Sequence, residues 1–175
     1  MMRVGVLSLL LAATPALAQQ PYAGQQSREV KSLSAEEVQQ YLAGAGMGYA
    51  KPAELSSYPG PMHVLELADK LALTLEQRAR TKILLDEHKA QARALGIKRV
   101  EAEQALDEFF ASKRMDEAAL AQAVRAAAAL EGEYRLSHLE THRRMRALLT
   151  EEQVIRYNHL RGYGSGTGHG HGIKH

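Results

Sequence analysis

From residue 74 onward the apolar positions of the chain fall into helical register. Leu85, His88, Ala92, Leu95, Ala102, Leu106 and Phe109 recur at spacings of three, four and seven, which puts them on one side of a long helix. A second stripe follows with Leu120, Val124, Ala127, Tyr134, His138, Thr141, Met145 and Leu148. Between the stripes, Lys113 to Asp116 reads as a turn, with Asp116 placed to cap the second helix. The helices so predicted cover about 38 and about 32 residues, roughly 57 and 48 Å at 1.5 Å per residue. So short a turn makes them antiparallel neighbours. Gly96 interrupts the composition of the first stripe but not its phase, so the pattern predicts a continuous helix that carries a glycine cost of about 1 kcal/mol.

Shorter elements precede the hairpin. Ser34 and Glu37 form a capping-box pattern for a helix reaching about Leu42, which Gly44, Gly46 and Gly48 end. The stretch to Pro61, with Pro52, Pro59 and Gly60, reads as a surface connection. Pro61 suits the first turn of a helix over Met62 to about Leu71. A last short helix runs from Thr150 to about Leu160. The expected fold is therefore all-α: a long antiparallel hairpin, core 74–149, with short flanking helices. Two helices alone have no closed interior, so Leu84, Val100, Phe110, Leu130, Leu136 and Leu139 need a partner, and a cradle-like homodimer is expected to supply part of it.

The organisation around this 34–161 domain follows from composition. Arg3, the apolar run Val4 to Ala13 and the small-x-small site Ala16-Leu17-Ala18 predict a signal peptide over 1–18, cleaved after Ala18, and hence a periplasmic protein. Residues 19–33 read as a mobile lead-in and 162–175 as a flexible tail rich in Gly and His. Loss of Arg3 leaves 21 of the 22 basic residues against 20 acidic ones, a balance with no claim on nucleic acid. No cysteine is present, so neither a disulfide nor an acylated anchor is available. No nucleophile elbow or His-Glu-x-x-His pattern points to an enzyme either.

One motif occurs twice. Leu73-Thr74-Leu75-Glu76-Gln77 returns as Leu149-Thr150-Glu151-Glu152-Gln153, each ahead of a helix-forming stretch. A capping box explains each copy: the Thr hydroxyl accepts from the backbone N–H three residues on, and the Gln side chain accepts from the Thr N–H. Going out one helix and back along the other should bring both copies to one end of the hairpin, where Leu73 and Leu149 can pack together. The pair, with Leu73, Thr74, Gln77, Leu149, Thr150 and Gln153 matching position by position, resembles the LTXXQ-motif family of periplasmic proteins. The likeness extends over about Met62 to Leu160 and takes in the Spy/CpxP-like chaperones and the related zinc-resistance-associated and heavy-metal sensor proteins.

The resemblance implies an ATP-independent chaperone that binds unfolded or misfolded periplasmic proteins in envelope stress. Arg78, Lys82, Lys89, Arg93, Lys98, Arg99, Arg143, Arg144 and Arg146, interleaved with apolar residues, are compatible with such clients. The alternative is a heavy-metal-binding sensor or accessory protein that regulates a membrane-bound signalling partner. His138 and His142 stand one helical turn apart, and the hairpin brings His88 level with Thr141 between them. Three neutral imidazoles there would suit Zn, Ni, Co or Cu. His169, His171 and His175 form a second, string-like set in the tail. No cofactor is required by either reading.

Overall fold

A computed structural model describes residues 21–113 and 116–163 of the chain. Among the described residues the structure is all-helical, with no strand: α1 Ala35–Ala43, α2 Lys51–Glu54, α3 Pro61–Glu66, α4 Leu75–Ala111, α5 Glu117–Arg146 and α6 Glu151–Leu160. The long pair α4 and α5 forms the expected hairpin, and α1 and α3 lie along α4. None of these helices is long and apolar enough to cross a membrane. The expected leader, the tail histidines His169, His171 and His175, and part of the hairpin turn lie outside the described residues.

Capping explains where the helices begin. Ser34, Thr74 and Thr150 each accept from the N–H three residues on, at 3.2, 3.1 and 3.3 Å. Glu37, Gln77 and Gln153 complete the boxes by accepting from the cap residue's own N–H. Asp116 caps α5 through Ala118 and Ala119.

The two glutamine boxes do more than cap. Gln77 Nε2 donates to Leu148 O at 2.9 Å and to Gln153 Oε1 at 2.8 Å. Gln153 Nε2 donates to Leu71 O at 3.3 Å and to Gln77 Oε1 at 3.0 Å. Each amide thus uses both donors and accepts twice, in a near-twofold clasp that joins the starts of α4 and α6. The chemistry also explains why Glu37 suffices in the first box while the other two carry Gln. A carboxylate can cap, but it cannot donate across to a neighbour. Leu73 and Leu149 are buried beside the clasp with Val64, Leu71, Leu84, Met145, Val154 and Tyr157.

A second apolar cluster holds the other half of the hairpin: Val30, Leu33, Val38, Tyr41, Ala92, Val100 and Tyr134. Gly96 is essential to it. α4 runs unbroken through this glycine, and a Cβ there would sit 1.9 Å from Tyr41 O, so the backbone of α1 lies directly on α4. The helix cost foreseen for Gly96 is the condition for that close approach.

Several elements depart from expectation. The segment read as a mobile lead-in docks at its end: Val30 is 1% exposed, and the Lys31 N–H donates to Asp107 at 2.8 Å. α3 stops at Glu66 rather than near Leu71, because the chain turns back through Ala72 in left-handed conformation and Leu73 N–H bonds to Ala68 O. Of the residues expected to need a partner, Leu84 and Val100 are buried within this chain, while Phe110 and Leu136 stay exposed. The supposed surface connection 44–61 contains α2 and walls the main cavity.

Candidate functional site

A cavity of about 670 Å³ opens between the hairpin and the 44–61 segment. α4 contributes Leu85, His88 and Lys89, and α5 contributes His138 and His142. The opposite wall is Gly44 to Gly48, with Lys51 and Glu54 of α2 and Met62 and His63 of α3.

Close packing at α1 fixes that wall. Gly44 caps α1 in left-handed conformation, and a Cβ on it would meet the backbone N of Arg93 at 2.9 Å. The following loop is pinned to α5 where Tyr134 OH donates to Ala45 O at 2.6 Å. Met47 adopts φ 46°, a left-handed conformation that costs a branched or long side chain about 1–2 kcal/mol. Between Gly46 and Gly48, the loop's one long side chain packs against the second apolar cluster and also lines the cavity.

The histidines are held by an aromatic cluster. His138 packs 4.8 Å from the Tyr134 ring and 6.4 Å from that of Tyr49, with which it stacks. His88 stands edge-on to His138, ring centroids 4.5 Å apart. Burial pushes both imidazoles down to about 4, with the neighbouring histidines adding to the effect, so both are uncharged at neutral pH. Nδ1 of His88 and Nε2 of His138 are buried without a hydrogen-bond partner. An orphaned buried polar atom costs about 1–3 kcal/mol and calls for a specific reason.

His142 is oriented differently. Its Nδ1 lies 2.7 Å from Tyr58 O, and because a carbonyl only accepts, Nδ1 carries a proton. The bond fixes the orientation of the ring at the cavity wall. Gly60 makes room for the ring: a Cβ there would meet His142 Cε1 at 2.9 Å and Nε2 at 3.0 Å. Glu54 also serves this corner, accepting from Gly60 N–H at 3.1 Å and from Tyr157 OH, with His142 Nδ1 at 3.5 Å. His63 is engaged by Glu66 at 2.8 Å.

The structure thus gathers His88, His138 and His142 in one cavity. The uncharged state of His88 and His138, and the one unengaged ring nitrogen on each, fit a metal's requirement for neutral imidazole. Their spacing does not complete a site for Zn, Ni or Co, since among the described residues no three His, Asp or Glu side chains stand at mutual ligand distance.

The basic residues fare otherwise. Six of the nine interleaved cations already have a carboxylate on this chain: Arg78 with Asp69, Lys82 with Asp86, Arg99 with Glu103, Arg143 with Glu140, Arg144 with Glu87 and Arg146 with Glu151. Arg93 Nε donates to Ala43 O, and Lys89 stands at the cavity.

Met47, Glu54, Tyr58 and Gly60 were missed as site residues because their segment reads as connection, and Met62 because it reads as the start of a short helix. The signals for it were Gly44-x-Gly-x-Gly and Pro59-Gly60-Pro61, which mark places where the backbone must come close to something. Compared with protein-family models, curated proteins and solved structures, the chain matches none.

Proposed function

We propose that the protein is a periplasmic heavy-metal-binding protein, a sensor or accessory component that acts by binding rather than catalysis and conveys its state to a membrane-bound signalling partner. The observation that carries this reading is the His88–His138 pair. Two uncharged imidazoles, 4.5 Å apart and each with a partnerless ring nitrogen, line an open cavity beside a third imidazole whose orientation is already set. An orphaned group that lines a cavity is one that a bound ion can satisfy. The resemblance to the LTXXQ-motif family supplies the periplasmic setting and the metal-responsive context.

Calorimetric titration with Zn, Ni, Co and Cu tests it, using the full chain with His169, His171 and His175 replaced by Ala so that the tail cannot contribute. Saturable binding near one equivalent, weakened at least tenfold by His138→Ala, is expected. Absence of binding by every ion would end the reading.

A second reading, the ATP-independent chaperone, is favoured by Ile83, Ile97, Phe110 and Leu136, which stand 44–58% exposed on the hairpin. The same apolar positions would serve a homodimer. Because most of the nearby cations are paired internally, attraction for acidic clients weighs less than apolar contact here. Suppression of a model client's aggregation at near-stoichiometric ratio, with metal and with chelator, separates the readings: suppression in chelator alone favours the chaperone.

A further inference from the structure

The metal reading leaves open which ion the cavity takes, and the donor set constrains the choice. Glu54 is the one acidic residue among the described residues that line the cavity. It is already committed to Gly60 N–H, Tyr157 OH and the Nδ1 side of His142, with Arg161 Nε 3.8 Å away. Among the described residues no other carboxylate lines the cavity, Glu66 being engaged at His63, and Lys51 and Lys89 line the same space as cations. The solvation cost of moving an ion out of water grows with the square of its charge, so a dication costs about four times as much as a monocation here. Repulsion by the two lysines doubles as well.

Coordination number points the same way. Zn in a structural site takes four ligands and Ni(II) four in a plane, whereas among the described residues no three His, Asp or Glu side chains converge on one point. What it offers besides imidazole is sulfur. Met47 and Met62, from two different segments, line the cavity together with His88 and His138. Met47 is held there in left-handed conformation at a backbone cost, in a loop otherwise built of small residues. Thioether is a soft, uncharged donor of the kind that selects Cu(I), and imidazole suits copper as well.

We infer that the cavity is a site for a soft monovalent ion, Cu(I), held by His88, His138 and the thioethers of Met47 and Met62. The inference rests on the metal-binding reading above and makes it specific. Ag(I), with the same charge and softness and no redox chemistry of its own, occupies the same site.

The test uses the full chain with His169, His171 and His175 replaced by Ala. Cu(I) is supplied anaerobically against a chromophoric Cu(I) chelator, and Zn(II), Ni(II) and Co(II) are titrated in parallel. Cu(I) is expected to bind at one equivalent and at least 100-fold more tightly than any of the three dications. The double variant Met47→Leu/Met62→Leu preserves volume and apolarity. It should keep the far-UV dichroism of the parent, lose at least tenfold in Cu(I) affinity and leave Zn(II) binding unchanged. Zn(II), Ni(II) or Co(II) binding as tightly as Cu(I), or Cu(I) affinity indifferent to the methionine changes in a folded variant, would overturn the inference while leaving the broader metal reading standing. Failure of every ion to bind would remove both.

Discussion

Two polar clusters cross the interior of this hairpin, and they differ in one respect. At the clasp end, Gln77 and Gln153 engage every donor and acceptor of their side-chain amides with each other, with their capped threonines and with Leu71 and Leu148 carbonyls. About three helical turns away, His88 and His138 are buried, each with one ring nitrogen that has no hydrogen-bond partner. A fully satisfied network makes one structure and leaves no valence for a ligand, whereas an unsatisfied one carries a standing cost that a bound ion can relieve. The repeated motif is therefore architecture. The chemistry lies in the less conspicuous histidines that it frames.

That contrast can be broken from either side. The largest effect is expected from Gly96→Ala, whose Cβ would fall within the Tyr41 carbonyl. Lifting α1 off α4 should cost about 3 kcal/mol or more and displace the 44–48 loop, so both thermal stability and metal binding fall together. Gln77→Glu tests the clasp alone. It keeps the capping geometry but removes both donations and sets a carboxylate against Leu148 O and Gln153 Oε1. A loss of about 2–4 kcal/mol is expected, seen as a Tm drop of about 6–12 °C, with the metal affinity of the folded protein unchanged. A stability loss below about 1 kcal/mol would mean that the clasp contributes no more than an ordinary cap.

Acid should act on the other cluster. His88 and His138 titrate near 4 in the folded chain against 6.5 when exposed, so between these values the unfolded state binds protons that the folded state refuses. Stability is then complete above pH 6.5 and declines as pH falls from 6.5 towards 4. Allowing for the water that enters the cavity, the decline is about 1–2 kcal/mol, measurable by urea denaturation between pH 7 and 5. A flat profile over that range would show that the imidazoles are not buried neutral. The smallest structural effect is expected from Gly60→Ala, which crowds His142 by a few tenths of an ångström. It should cost about 1 kcal/mol, read as a small fall in Tm, by moving His142 relative to the Tyr58 carbonyl.

The sequence made the clasp end easy to find because a capping box is local: three residues at fixed spacing determine it. Even so, it did not reveal that Gln77 and Gln153 bond to each other, because nothing in either pentapeptide requires the other. The histidine pair was legible through helical period, which put His138 and His142 on one turn and brought His88 opposite. The Met47–Met62 wall was not, because its shape comes from left-handed backbone and from close approaches at Gly44 and Gly60 that composition records only as turn residues. The docked segment around Val30 was missed for a related reason: one buried valine and one buried leucine, Val30 and Leu33, give no periodicity.

The most direct measurement is a histidine-ring and glutamine side-chain ¹⁵N spectrum of the full chain carrying His169→Ala, His171→Ala and His175→Ala, followed through titration with Ag(I) and, separately, Zn(II). The account predicts that the ring nitrogens of His88 and His138 move to new positions by one equivalent of Ag(I), while the side-chain amides of Gln77 and Gln153 stay where they were. Imidazole signals that neither ion moves would contradict it.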